Sequence, residues 1–228
     1  VQQCCVLRGT KMVSDALLSG LSCPVIPVVV IEEIDHAIPL AEALFSGGIA
    51  ALEITLRTDL GLEAISRIKA QFPEKPVGAG TVCNPEQFGD AARAGADFIV
   101  SPGATSGLFS TASNYSLPFL PGAVTASEVL CAMDKGFTTV KFFPAETSGG
   151  AAALHALSGP FPSVSFMPTG GITRENLGAY LRLQNVVAAG GSWLTPRTLC
   201  VAQQWEQIQQ LASDTANLSR ALKSEVSQ

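Results

Sequence analysis

Thr125-Ala126-Ser127-Glu128-Val129-Leu130-Cys131-Ala132-Met133-Asp134-Lys135-Gly136-Phe137-Thr138-Thr139-Val140-Lys141-Phe142-Phe143 contains one complete fold unit. Thr125 and Glu128 have the spacing of a capping box, in which hydroxyl and carboxylate each take an N–H that the first helical turn cannot satisfy. An amphipathic stretch runs from there to Lys135. Gly136 stands where the chain must leave the helix in the left-handed conformation, which costs glycine nothing. The β-branched and apolar run 138–143 then reads as a strand. The same order of helix, glycine and strand recurs. Ala37 to Ser46 leads through Gly47-Gly48 into Ala51 to Thr55, and Pro85 to Ala94 leads through Gly95 into Asp97 to Val100. Asn84-Pro85 and Thr195-Pro196 each set a capping side chain before a proline at the expected first helical position.

Extended along the chain, the pattern predicts strands near 24–30, 51–55, 76–80, 97–101, 118–121, 138–143, 164–168 and 186–190. Helices are expected near 14–19, 35–46, 59–71, 84–94, 105–114, 125–135, 149–158, 173–183 and 196–223. Strands alternating with helices, with no change of composition between halves, predict an α/β fold: a single (β/α)8 TIM barrel with an N-terminal helix. A doubly wound open sheet is the competing architecture. Segment 1–11 has no helical or strand period and precedes Met12, so it is expected to be disordered or appended. Residues 12–228 are expected to form the catalytic barrel domain.

The chain has 228 residues, of which 47% are hydrophobic and 14% charged, and it carries a net charge of −5. A barrel of this length has ample apolar material for its core. No basic cluster suggests nucleic acid as a partner. The longest apolar run, Val25 to Ile31, is broken by Pro27 and is too short to span a bilayer, so no membrane role is expected and the protein reads as cytoplasmic. Six scattered cysteines lack the spacing of a zinc or redox motif. The only histidines are His36 and His155, so proton transfer is expected to fall to other side chains.

Lys141 is a charged residue inside an apolar strand. Low dielectric disfavours an ammonium there, and a neutral amine attacks ketone carbonyls to give a Schiff base. The alternative is a packed stem with the ammonium reaching solvent. Strand alternation places Thr139, Lys141 and Phe143 on one face, and Glu53, Thr55 and Arg57 on one face of the second strand. Neither set can meet an apolar helix layer, so both are expected to face the lumen. Gly78-Ala79-Gly80-Thr81 ends the third strand; it reads as a tight turn, or as glycines opening the backbone to a substrate with the Thr81 hydroxyl as a donor. The last two strands end in Thr169-Gly170-Gly171 and Gly190-Gly191-Ser192, paired glycines before expected helix starts, as in a phosphate cradle of backbone N–H groups.

These segments together resemble the bacterial 2-keto-3-deoxy-6-phosphogluconate aldolases, which often also act on 4-hydroxy-2-oxoglutarate. The resemblance rests on Leu52 to Thr58, Gly78 to Val82, Ser101-Pro102-Gly103, Val140 to Glu146, Pro168 to Ile172 and Gly190 to Leu194. It implies that Lys141 is the Schiff-base lysine and Glu53 the proton-transferring carboxylate. It also implies that Arg57 and Thr81 hold the substrate carboxylate, that Gly170, Gly171, Gly191 and Ser192 hold its phosphate, and that Thr169 and Phe143 lie near the substrate. The implied enzyme is a homotrimer with no cofactor and no metal, acting on a small phosphorylated 2-keto acid. The 6-phosphogalactonate epimer is an alternative substrate. A phosphosugar epimerase or isomerase on the same barrel is a further alternative, and would need no imine.

Overall fold

The computed structural model describes residues 17–18 and 20–226. Segment 1–11 and most of the helix expected at 14–19 lie outside them. The strands are β1 (Val25–Val29), β2 (Leu52–Thr55), β3 (Val77–Gly80), β4 (Phe98–Val100), β5 (Phe119–Leu120), β6 (Thr139–Phe142), β7 (Ser165–Pro168) and β8 (Ala189–Gly191). Between and after them lie α1 (Ala37–Ser46), α2 (Gly61–Gln71), α3 (Pro85–Arg93), α4 (Ser106–Ala112), α5 (Ala126–Asp134), α6 (Gly150–Ser158), α7 (Leu177–Leu181), α8 (Arg197–Val201) and α9 (Trp205–Val226).

All strand pairings are parallel. Six strands form a half-barrel in the order β5-β4-β3-β2-β1-β8, and β6 pairs with β7. Isolated bridges join Gly122 to Lys141, Phe166 to Val186 and Thr169 to Gly190. The two faces of the strands build different cores. Val25, Leu52, Ile54, Val77, Ile99, Phe119, Val140, Phe142 and Phe166 pack under the helices. Ile26, Ala51, Phe98, Val100, Leu120 and Met167 form a second cluster on the opposite face. Residues of β1, β4, β5 and β7 can meet on that face only if the sheet curls strongly.

The punctuation behaves largely as its chemistry requires. Thr125 and Glu128 form the expected capping box. Asn84 Oδ1 accepts from Gln87 N–H at 2.8 Å, with Pro85 opening α3. Gly48, Gly95 and Gly136 all take positive φ after their helices.

The C-terminal third departs from expectation. Thr195 does not cap, because Pro196 is itself the N-cap and no side-chain bond is made there. The long helix expected over 196–223 is interrupted: Gln203 has φ 52, and Gln204 N–H reaches back to Leu199 O at 2.9 Å. A helix-ending turn is thus made without glycine, leaving no signal in the residue types. The helix expected over 173–183 shrinks to Leu177–Leu181, preceded by a turn in which Thr173 and Asn176 bond each other's N–H groups in the manner of a helix cap. The strand expected at 186–190 begins only at Ala189, with Val186 making a single bridge.

Candidate active site

Strand alternation carries Glu53 and Lys141 to the same place from strands of two different sheets. The outer neighbours Leu52, Ile54, Val140 and Phe142 belong to the core under the helices. On the inner side Lys141 Nζ donates to Glu53 Oε1 at 2.9 Å, with Glu53 0% and Lys141 4% exposed. Glu53 Oε2 has no hydrogen-bond partner among the described residues. Burying an ion pair gains little net stability, and leaving a buried acceptor unmade costs about 1–3 kcal/mol. A nucleophile and a proton acceptor in direct contact, with one carboxylate oxygen unused, are poorly explained by stability and well suited to chemistry.

The glycines of β3 make room for this pair. A Cβ on Gly80 would lie 2.2 Å from Glu53 Oε1, and one on Gly78 would lie 2.2 Å from the Phe98 ring. The expectation that these glycines open the backbone to substrate is therefore corrected: their space is filled by the Glu53 carboxylate and by Phe98. Thr81, directly after them, has φ 61. A β-branched residue held in the left-handed region is a true outlier, of the kind that clusters at functional sites.

Arg57 lies elsewhere than strand alternation implies. β2 ends at Thr55, whose hydroxyl donates to Val29 O at 2.9 Å, and the chain turns. Arg57 sits in that turn, exposed, with no hydrogen bond or ion pair among the described residues. Its guanidinium is available to a carboxylate at the carboxyl end of β2. Phe143 is half-buried beneath the lysine, with Lys141 Nζ 5.5 Å from the ring centroid. Thr169 is buried, and its Oγ1 has no partner among the described residues. The bridge from Thr169 to Gly190 sets the two glycine loops side by side.

Gly170 (φ 99) and Gly171 (φ 77) both need the left-handed region, and they also leave no room for a Cβ. At Gly170 it would crowd the Phe143 ring at 3.2 Å, and at Gly171 it would strike the Glu146 side chain at 2.6 Å. The N–H groups of Gly170, Gly171 and Ser192 donate to nothing among the described residues. Successive free N–H groups form an anion-binding concavity by themselves. The expected contribution of helix N-termini is not available, because α7 and α8 are five residues each. Gly191 has a packing reason of its own: a Cβ there would fall 1.7 Å from the Trp193 ring.

Sequence reasoning gave no role to Glu146, although it lies in the lysine segment. Its N–H donates to Gly170 O at 3.1 Å, and Ala145 N–H donates to Thr169 O at 2.8 Å. The Glu146 carboxylate accepts from the Tyr180 hydroxyl. Burial first, and then the neighbouring carboxylate, push the Tyr180 phenol above its usual range, so it stays a donor at any working pH. This tie clamps the chain after β6 to the first glycine loop. Only the lone polar group on the otherwise apolar α7, Tyr180, hinted at it. Among the described residues no group of three or more His, Cys, Asp or Glu could hold a metal ion, and no helix is long and apolar enough to cross a membrane.

Comparison with known proteins shows the family. The chain is 46% identical over 208 residues to the KHG/KDPG aldolase of Escherichia coli K12, covering 91% of this chain and 97% of that protein. A crystal structure of KDPG aldolase from Legionella pneumophila, with pyruvate captured as a covalent carbinolamine, superposes with a TM-score of 0.84 at 44% identity, covering 86% of this chain and 96% of that one. The Zymomonas mobilis ZM4 2-keto-3-deoxy-6-phosphogluconate aldolase with 3-phosphoglycerate gives a TM-score of 0.82 at 40% identity, covering 89% and 96%. The family model for KDPG and KHG aldolases matches residues 19–211, and with it the chain belongs to that family of lyases.

Proposed function

We infer that this chain is a class I aldolase that cleaves 2-keto-3-deoxy-6-phosphogluconate to pyruvate and glyceraldehyde 3-phosphate, and 4-hydroxy-2-oxoglutarate to pyruvate and glyoxylate. The buried 2.9 Å contact between Lys141 and Glu53 carries this reading. With the shared proton on the carboxyl group, the amine lone pair is free to attack carbon 2 of the keto acid. The carboxyl group then gives its proton to the departing hydroxyl, and loss of water leaves a protonated imine facing the Glu53 carboxylate. The electron pair of the bond between carbons 3 and 4 then flows into that imine to give an enamine. Glu53 takes the proton of the carbon 4 hydroxyl as the aldehyde leaves, and a proton returned to carbon 3 followed by hydrolysis frees pyruvate and the lysine. Arg57 suits the substrate carboxylate because its planar fork can engage both oxygens, with Thr81 as a second donor. The free N–H groups of Gly170, Gly171 and Ser192 suit the phosphate, Gly191 sets their backbone, and Thr169 and Phe143 border the substrate.

Eight strands joined at both seams by bridges support a closed (β/α)8 barrel over residues 12–228, acting as one catalytic domain. Family membership supports a homotrimer, and a phosphorylated sugar acid as substrate suits the cytoplasm. Treatment with pyruvate and borohydride is expected to leave a reduced three-carbon adduct on Lys141, read by peptide mapping. An adduct on another lysine, or none, sinks the imine. Pyruvate release from both phosphorylated epimers and from 4-hydroxy-2-oxoglutarate then ranks the substrates.

A further inference from the structure

Beside the second glycine loop lies a cavity of about 200 Å³, whose lining includes Val28, Glu32, Glu33, His36, Ser192 and Arg197. Val28 pairs in register with Glu53, so the cavity belongs to the carboxyl end of β1, close to the catalytic pair. Within it, Arg197 Nε lies 2.9 Å from both oxygens of Glu32. An arginine usually meets a carboxylate with two parallel N–H groups of its fork. Here Nε alone is used, and both terminal amino groups are without partners among the described residues. The pair is exposed, 77% at Arg197 and 44% at Glu32. Exposed pairs hold weakly, so Arg197 can be shared with a second anion at little cost.

The glycine loops offer only the partial charges of N–H groups, whereas a phosphoryl terminus brings close to two negative charges. Lys141 and Arg57 are committed to the other end of the substrate in the proposed function. Arg174, after the first glycine loop, lies 3.6 Å from Asp214. Arg197 is the arginine that lines one cavity together with Ser192; His36, in the same cavity, lies 3.4 Å from the Glu33 carboxylate and faces that second acid. It also neutralises Glu32, which would otherwise face an incoming dianion with a bare carboxylate. We propose that Arg197, steadied by Glu32, is a specificity residue that favours a phosphoryl terminus at the Ser192 loop over the shorter carboxylate terminus of 4-hydroxy-2-oxoglutarate. This rests on the aldolase reading of the same site.

The test compares kcat/KM for 2-keto-3-deoxy-6-phosphogluconate and 4-hydroxy-2-oxoglutarate in wild type, Arg197→Ala, Arg197→Lys and Glu32→Gln. In Arg197→Ala the ratio of the two values is expected to fall at least ~10-fold, mainly through KM of the phosphorylated substrate, since a hydrogen bond to a charged group is lost and Glu32 is uncovered. Arg197→Lys keeps the charge without the fork and should recover part of the ratio. Glu32→Gln should hold or raise it. Inorganic phosphate should inhibit wild type more strongly than Arg197→Ala. An unchanged ratio in Arg197→Ala, or equal loss on both substrates, overturns the proposal. Pyruvate trapping on Lys141 is run alongside: its absence in wild type sinks the aldolase reading itself, whereas a normal adduct with an unchanged ratio sinks only the role of Arg197.

Discussion

Lys141 and Glu53 act as a unit, so each needs a variant that removes one function and keeps the shape. Lys141→Arg keeps the charge facing Glu53 but cannot form an imine, and both the borohydride adduct and turnover should vanish. Glu53→Gln keeps a hydrogen-bonding group beside Lys141 and leaves Gly80 its room, yet cannot accept the carbon 4 proton. It should slow cleavage by ~100-fold or more while pyruvate still traps on Lys141. Near-normal turnover would move proton transfer to another group. This pair was legible in the sequence because a strand's period of two is rigid: once Leu52 and Ile54 are assigned to the helix layer, Glu53 has only the other face. The same logic overreached at Arg57, two residues beyond Thr55, because the strand had already ended. It also missed what the β3 glycines are for, since Phe98 and Glu53, which fill their space, come from other strands.

At the scale of elements, the chain after β6 and the loop after β7 form one device. Phe143 lies under Lys141 and against Gly170, while Glu146 lies against Gly171 and is held by Tyr180 of α7. The imine end and the phosphate end of the site are thus linked through a hydrogen bond between a buried phenol and a partly exposed carboxylate. Removing that hydroxyl in Tyr180→Phe should cost about 1.5 kcal/mol of stability, the low end for a bond to a charged group because water can reach Glu146. KM for the phosphorylated substrate should rise several-fold, with the pyruvate adduct on Lys141 unchanged. A stability loss with no change in KM would make the tie purely structural. Helices with glycine or capping signals were legible from residue types. Those that end on Gln203, or start late after the Thr173–Asn176 turn, were not, because a left-handed non-glycine residue and a local turn leave no mark in residue type.

For the whole molecule, the site depends on β2 and β6 facing each other across the interior, which an open sheet would not require. The alternation and parallel order of the strands were readable from sequence; how β6 and β7 join the rest was not, because no residue type marks a strand neighbour. Backbone hydrogen bonds cross two seams. At one, Lys141 N–H donates to Pro121 O and Ala123 N–H to Lys141 O, both at 2.9 Å. At the other, Val187 N–H donates to Phe166 O at 3.1 Å. In a closed ring these amides lie in the interior of a continuous ladder and can exchange only when the whole domain opens. Hydrogen exchange measured residue by residue should therefore give Lys141, Ala123 and Val187 opening free energies close to those of Ala189 and Ile99, which lie within the six-stranded half-barrel. If the seam amides instead exchange as fast as frayed edge positions while Ala189 and Ile99 stay protected, the ring is open at β6 or β7. Lys141 would then be held to Glu53 by their contact alone, and Glu53→Gln would loosen the seam as well as slow the chemistry.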